Sequence, residues 1–143
     1  MPSSRHLDDL LARYVADFVT RNAAARILKQ ALDDVGVGLF PLADHITFRT
    51  DDIDRRAEEF LTLGYAFSET LAYADWFAKV YRKPGYPALF IDQAYPDERG
   101  KTSIIPGWVA TFGDRTLHHI AVKVEDIELA MERLSRAGVR FAG

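Results

Sequence analysis

The sequence predicts an α+β fold of paired β-α-β-β-β modules, with the second module incomplete and a helical hairpin at the N-terminus. The main observation is an internal repeat, because residues 43–50 match residues 117–124 at a constant offset. The match continues past the strand without a gap, so that Gly64 aligns with Gly138. In each copy the apolar pattern changes from strand-like alternation to helical spacing and back again. A repeat of this kind dictates the architecture, and we expect one structural domain.

Residues 1–36 lie outside the repeat and are predicted to form the helical hairpin. Apolar residues recur there at helical spacing, on one face of each helix. Thr20 or Asn22 is expected to separate the two helices, and Gly36 is suited to end the second because glycine readily adopts the left-handed conformation found at helix C-termini. We interpret the hairpin as a packing element that covers one face of the sheet.

The first module is predicted to span residues 37–93. Asp51 or Asp52 is placed to cap a helix that runs to Leu63. The strands predicted for this module are 43–50, 65–72, 76–83 and 87–93. Residues 94–116 are rich in proline, glycine and charge, which predicts a connector with at most one short helical turn.

Residues 117–143 are predicted to start the second module, with a strand at 117–124, a helix at 126–137 and another strand from residue 139. By analogy with the first module, two further strands would follow Gly143. A sheet that ends in an unpaired strand exposes backbone hydrogen-bonding groups. We therefore expect a further segment or a partner chain to cover this edge, and a homodimer is one such arrangement.

Composition excludes several classes of function. The formal net charge of −3 gives no reason to expect binding to nucleic acid or to an anionic membrane. The absence of cysteine excludes disulfides, zinc–thiolate sites and a cysteine nucleophile. No run of residues approaches the roughly 18 apolar residues of a membrane span, and the polar N-terminus does not resemble a signal peptide. A cytoplasmic location is the default expectation.

Two histidines at matching positions of the repeat indicate a metal site. Alternate residues of a strand share a face, so His45 projects with Thr47 and Arg49, and His119 likewise projects away from the apolar side of its strand. We expect His118 on the opposite face. If the modules pair about a pseudo-twofold axis, His45 and His119 converge on one cavity, where neutral imidazoles bind a divalent metal. The alternative is that these histidines are structural or contact the substrate.

Arg49 is the candidate substrate-binding residue, because a guanidinium binds a carboxylate through paired hydrogen bonds. A cavity with a metal at one side and Arg49 at the other would hold a 2-oxo acid or a similar anion. Alternatively, Arg49 pairs with an acid at the strand end, such as Asp51. Asp92 is a possible third metal ligand, but aspartate favours turns, and a carboxylate beyond Gly143 is the better candidate. No catalytic acid or base is assigned.

These residues resemble those of the vicinal oxygen chelate superfamily, which contains glyoxalases, extradiol dioxygenases and antibiotic-resistance proteins. Within it, the sequence is similar to the DUF1338 branch, whose characterised activity is that of a 2-oxoadipate dioxygenase/decarboxylase. The segments that carry the resemblance are 44–50, 87–92, 108–114 and 118–122.

The resemblance implies an Fe(II) centre held by His45, His119 and a later glutamate. It also implies that Arg49 anchors the carboxylate of a small 2-oxo acid, which reacts with dioxygen and loses carbon dioxide. Two other functions stay open. One is a glyoxalase-type metal-dependent isomerase or lyase, and the other is a non-enzymatic ligand-binding module of the same fold.

Overall fold

The computed structural model describes residues 4–142. The strands are β1 (Ala43–Arg49), β2 (Ala66–Ala72), β3 (Trp76–Arg82), β4 (Ala88–Ala94) and β5 (Leu117–Val122). The α-helices are α1 (Ser4–Arg21), α2 (Ala23–Asp34), α3 (Ile53–Leu61), α4 (Ile105–Phe112) and α5 (Ile127–Arg136). Two 3₁₀ segments lie at Phe40–Leu42 and Glu98–Thr102. None of the helices within residues 4–142 is long and apolar enough to cross a membrane.

The strands form one mixed sheet in the order β2-β3-β4-β1-β5. β1 is parallel to β4 and antiparallel to β5, so the first strands of the two copies of the repeat lie side by side. Thr47 pairs with His119, and His45 pairs with Ala121. The repeat offset interchanges these two pairs, which is the local twofold relation that the repeat predicts. The predicted α+β fold class is confirmed.

One face of the sheet forms the hydrophobic core with α1 and α3. Ile46 and Phe48 of β1 point to this face together with Leu89 and Ile91 of β4, and none of the four is more than 1% exposed. The residues that α1 and α3 bury in this core are Leu7, Leu10, Leu11, Tyr14, Val15, Ile53, Ala57 and Phe60. Removal of apolar surface from water, at about 25 cal/mol per Å², is the main force that holds these layers together.

Side-chain caps define where three of the helices begin. Asn22, Asp52 and Asp126 each accept a hydrogen bond from the backbone N–H three residues later, at the starts of α2, α3 and α5. Such a cap satisfies an otherwise unpaired donor and contributes about 1 kcal/mol. The predicted hairpin is confirmed, and Asp52 rather than Asp51 caps α3.

Two regions differ from the sequence prediction. The predicted connector contains the 3₁₀ segment Glu98–Thr102 and all of α4. α4 forms because Pro106 occupies its first turn, where no backbone donor is needed, and because Ile105 is 2% exposed. Residues 139–142 form no strand, and Gly143 lies outside the described residues. A strand depends on hydrogen bonds to a neighbour, and no strand of the described residues pairs with this segment.

The apolar face of α5 is exposed where the equivalent face of α3 is buried. The repeat aligns Ile127 with Ile53, and Met131 with Ala57. Ile127 is 62% exposed and Ile53 is 2% exposed, whereas Met131 is 39% exposed and Ala57 is fully buried. The difference arises because β5 is the edge strand, whereas β1 has neighbours on both sides.

Alanine substitutions at Gly100 and Gly107 are expected to change the free energy of unfolding in opposite directions. A Cβ atom at Gly100 would lie 1.8 Å from the carbonyl oxygen of Tyr95, whereas one at Gly107 would meet no atom within 4 Å beyond its own helix. We expect Gly100→Ala to lower the free energy of unfolding by about 1–3 kcal/mol, because the backbone must move. We expect Gly107→Ala to raise it by up to about 1 kcal/mol, because alanine favours the helix. Urea unfolding measures both free energies, and shifts of the same sign would contradict the prediction.

Candidate metal and substrate site

The polar face of β1 brings the two predicted metal ligands together. His45, Thr47 and Arg49 alternate with the core residues of the same strand. The rings of His45 and His119 approach each other, with centroids 5.5 Å apart and ring planes at 83°. The two imidazoles therefore meet as the repeat predicts, whereas metal binding by them stays a prediction.

A β-bulge brings His118 to the same place. The register between β1 and β5 shifts between Thr47, which pairs with His119, and Phe48, which pairs with Leu117. His118 is the extra residue, and its Nδ1 lies 2.8 Å from Nδ1 of His119. The prediction that His118 lies on the opposite face is wrong, because simple alternation fails where a strand inserts one residue.

His45 is held by the residue before it and by an aromatic ring. Its Nδ1 lies 2.9 Å from a carboxylate oxygen of Asp44, and its ring stacks on Phe90 with centroids 4.6 Å apart. The hydrogen bond with His45 lowers the pKa of Asp44, so this side chain accepts as a carboxylate. When Nδ1 donates to Asp44, Nε2 carries the lone pair. A carboxylate that orients an imidazole in this way is a common support for metal ligands.

His119 is neutral near neutral pH. Burial is the largest effect, and the neighbouring His118, His45 and Arg49 add to it, which together lower the pKa of His119 to about 4. Its Nε2 lies 3.0 Å from Oγ1 of Thr47, and its Nδ1 contacts His118. Both ring nitrogens therefore have a partner, and a metal ion would replace one of these contacts.

Arg49 and Asp92 lie opposite each other in the parallel pairing of β1 with β4. Asp92 is 6% exposed and lies inside β4, so its interpretation as a turn residue is wrong. The Nε of Arg49 is buried and has no hydrogen-bond partner in the described part of the chain. Both side chains line a cavity of about 320 Å³.

The electrostatics of this pair follow from burial. Burial raises the pKa of Asp92 to about 7, and the charge of Arg49 only partly offsets this effect. Burial also lowers the pKa of Arg49, against the opposing effect of Asp92. The sequence could not predict these pKa shifts. The two residues lie far apart in the chain, and nothing local indicates that they pair across the sheet.

α4 covers part of the polar face and joins the two halves of the site. The guanidinium carbon of Arg49 lies 5.5 Å from the centroid of the Trp108 ring. The same ring contacts His118 edge-on, with centroids 5.4 Å apart. Trp108 therefore connects the histidine cluster to the Arg49 cavity. This role of Trp108 is not predictable from the sequence, because the composition of the segment indicates a connector rather than a helix.

The described residues do not form a complete metal site. Within residues 4–142, no group of three or more histidine, aspartate or glutamate side chains is arranged to hold a metal ion. His45 and His119 would provide two nitrogen ligands. Asp92 lines the cavity beside Arg49, so the structure gives no support for Asp92 as the third ligand.

A family model supports this interpretation of the fold. The model described as the Glyoxalase/Bleomycin resistance protein/Dioxygenase superfamily matches residues 44–143, which include both copies of the repeat. The chain belongs to this superfamily. Its members often bind divalent metals and small molecules. The resemblance to the vicinal oxygen chelate superfamily is confirmed at this level, and membership of the DUF1338 branch stays a proposal.

A solved structure shares the fold of this superfamily member. It is the crystal structure of a protein from Shewanella frigidimarina NCIMB 400 that is described as a candidate hydrolase, and it superposes with a TM-score of 0.74. The alignment has 20% sequence identity and covers 92% of this chain and 72% of the other. At this identity the likeness shows the fold alone. No curated protein matches the chain.

Asp92 is expected to make the stability of the protein depend on pH. Its pKa is about 7 in the folded protein, above the ordinary value of about 3.9. The folded state therefore binds the proton more tightly, and this residue destabilises the fold progressively as pH rises from about 4 to about 7. We expect Asp92→Asn to be more stable than the unmodified protein by a few kcal/mol above neutral pH and equally stable in acid. Urea unfolding across this range tests the difference, and a constant difference at all pH values would contradict it.

Proposed function

We propose that the protein is an Fe(II)-dependent dioxygenase/decarboxylase that acts on a small 2-oxo acid resembling 2-oxoadipate. The observation that carries the proposal is the approach of His45 and His119 on the polar face that also bears Arg49. A pair of imidazoles suits a transition metal. The buried Nε of Arg49, which lacks a partner among the described residues, suits a carboxylate.

The residues present suit two positions of a metal centre. His45 would bind through Nε2, since Asp44 contacts its Nδ1. His119 is in the neutral form that binds metal, because its pKa is about 4. The two-histidine, one-carboxylate set of non-haem Fe(II) oxygenases needs one carboxylate more, and we propose a glutamate, as the resemblance implies. Fe(II), when bound, would supply the redox chemistry for oxidative loss of carbon dioxide.

The protein's own contribution would be to hold and shield the substrate. Arg49 would fix one carboxylate and so orient the 2-oxo acid towards the histidines. Trp108 packs against Arg49 and His118, so it would keep water from the space between them. Exclusion of water strengthens every charge interaction in such a site. Because His119 would be neutral, it would add no second positive charge to repel the guanidinium of Arg49.

The test is iron-dependent oxygen consumption with 2-oxoadipate. We expect the protein loaded with Fe(II) to consume dioxygen and to release carbon dioxide in equal amounts. Arg49→Met should raise KM strongly, because it removes the carboxylate-binding group and leaves the histidines in place. Absence of oxygen uptake in iron-loaded protein would reject the proposal. Turnover of a 2-oxo acid without oxygen would instead indicate a glyoxalase-type isomerase or lyase.

A non-enzymatic ligand-binding module is the second candidate. It is favoured by the finding that no carboxylate within residues 4–142 completes a three-ligand site with the two histidines. In this case the protein without metal should bind a small anion or an aromatic molecule, and added Fe(II) should not change the affinity. Equilibrium binding with and without Fe(II) separates the two candidates.

We also propose that the protein forms a homodimer through the side of the molecule that bears α5. The support is the exposed apolar face of this helix, which includes Ile127 and Met131, 62% and 39% exposed. Exposed apolar faces of this kind are typical of interfaces. Sedimentation equilibrium tests the proposal, and Ile127→Glu should shift a dimer towards the monomer.

A further inference from the structure

Two complementary polar groups meet in one cavity without bonding to each other. Asp92 is 6% exposed and lines this cavity. The Nε of Arg49 is buried and unpaired in the described chain. Leaving a buried polar group unpaired costs about 1–3 kcal/mol, and more when the group is charged. An unpaired donor beside a buried carboxyl group in the same cavity indicates a ligand that bonds to both.

The cavity is of a size to hold the end of a small molecule. It has a volume of about 320 Å³, and its walls come from β1, β3, β4, the turn before β3 and the segment that leads into α4. The charged groups that line it are Arg49, Asp75 and Asp92. Asp75 differs from Asp92 because its carboxylate accepts a hydrogen bond from Thr102 at 2.9 Å. Arg49 and Asp92 are therefore the groups that are available for a ligand.

We propose that Arg49 and Asp92 together form a subsite for a terminal carboxylate of the substrate. In this arrangement Arg49 Nε donates a hydrogen bond to the ligand carboxylate, and the protonated Asp92 carboxyl donates another. The identification of this ligand as the substrate rests on the proposed function, whereas the carboxylate subsite itself does not. Asp92 is then a specificity-determining residue, because an ionised Asp92 would repel the group that Arg49 attracts.

The raised pKa of Asp92, about 7, supports this assignment. The carboxyl group keeps its proton to near-neutral pH and can act as a donor, while a ligand carboxylate with an ordinary pKa near 4 is ionised. The competing arrangement is an ionised Asp92 that accepts from an ammonium group, which would suit an amino acid. The two arrangements differ in the sign of their pH dependence, because only the first requires the proton on Asp92.

The test uses propionate as the probe and the metal-free protein, so that it does not depend on catalysis. Binding is followed by tryptophan fluorescence, since Trp76 lines the cavity and Trp108 packs on Arg49. A group of pKa about 7 changes from mostly protonated to mostly ionised between about pH 6 and about pH 8, so we expect the affinity to fall about tenfold. In Asp92→Asn the amide donates at any pH, and the affinity should change less than about twofold over this range.

Asp75→Asn is the matched control, and it should keep the tenfold dependence on pH. The pH dependence of the unmodified protein is a test in itself, so the proposal does not depend on the folding of a variant. An affinity for propionate that is constant or rises with pH would overturn the proposal, as would an absence of binding at both values. Tighter binding of glycine at the higher pH would identify the ionised arrangement. Failure of oxygen uptake alone would reject the proposed enzyme activity and leave the subsite intact.

Discussion

Replacing His119 with alanine is expected to lower the affinity of the protein for Fe(II) by at least about 100-fold. Loss of a residue that merely supports a metal ligand costs about 10–100-fold, so loss of the ligand itself should cost more. His119 is also the better-defined of the two candidates, because its pKa of about 4 leaves it neutral in the whole physiological range. Competition with a chromophoric chelator measures the affinity directly.

Two other histidines provide graded controls for this experiment. His6 is exposed in α1, away from the polar face of the sheet, and His6→Ala should leave the affinity unchanged. His118 contacts Nδ1 of His119, so His118→Ala should have an intermediate effect of about tenfold. If His6→Ala and His119→Ala reduced the affinity equally, the effect would be non-specific. If His119→Ala bound iron normally, the proposed centre would be rejected.

The largest expected effect on stability comes from Arg56, which is only 5% exposed. Its Nη2 lies 2.5 Å from the Tyr14 hydroxyl, its Nη1 contacts Glu59, and its Nε donates to the backbone oxygen of Asp114 at 2.7 Å. It therefore links α1, α3 and the segment before β5. Removing one partner of a buried charge pair typically costs about 3–5 kcal/mol, because the remaining groups stay buried without their partner. We expect Arg56→Ala to lower the free energy of unfolding by this amount.

Arg55 is the matched control, since it is the preceding residue of the same helix and has the same charge. Its side chain is 66% exposed and contacts Asp114 at 3.4 Å. Exposed ion pairs contribute less than about 1 kcal/mol, so the free energy of unfolding of Arg55→Ala should be close to that of the unmodified protein. Urea unfolding compares the two variants. Equal losses would show that helix propensity or overall charge, rather than the buried network, explains the effect.

The internal repeat carried most of the predictable information about this fold. Strand and helix periodicity located β1 and α3 to within two residues at each end, because each has one apolar face and a clear stop such as Gly64. The repeat also predicted that His45 and His119 approach each other, because a twofold relation brings equivalent residues together. α4 escaped prediction because its stability depends on burying Ile105 against residues far away in sequence.

Within the candidate site, the residues that were misinterpreted are those whose roles depend on pairing between strands. Simple alternation along β5 predicts the wrong face for His118, because a one-residue bulge breaks the alternation. The position of Asp92 near a predicted strand end favours a turn residue, whereas the residue lies inside β4. Its burial opposite Arg49 follows from the parallel register of β1 and β4, which nothing in either segment specifies locally.

The sequence by itself determined the superfamily fold and the meeting of two imidazoles, because periodicity and duplication are properties of the chain. Only the tertiary structure decided which polar groups are left unpaired. Burial removes water from Asp92 and from Nε of Arg49, and this Nε has no replacement partner among the described residues. Desolvation depends on everything that surrounds a group, so it appears only when the chain is folded.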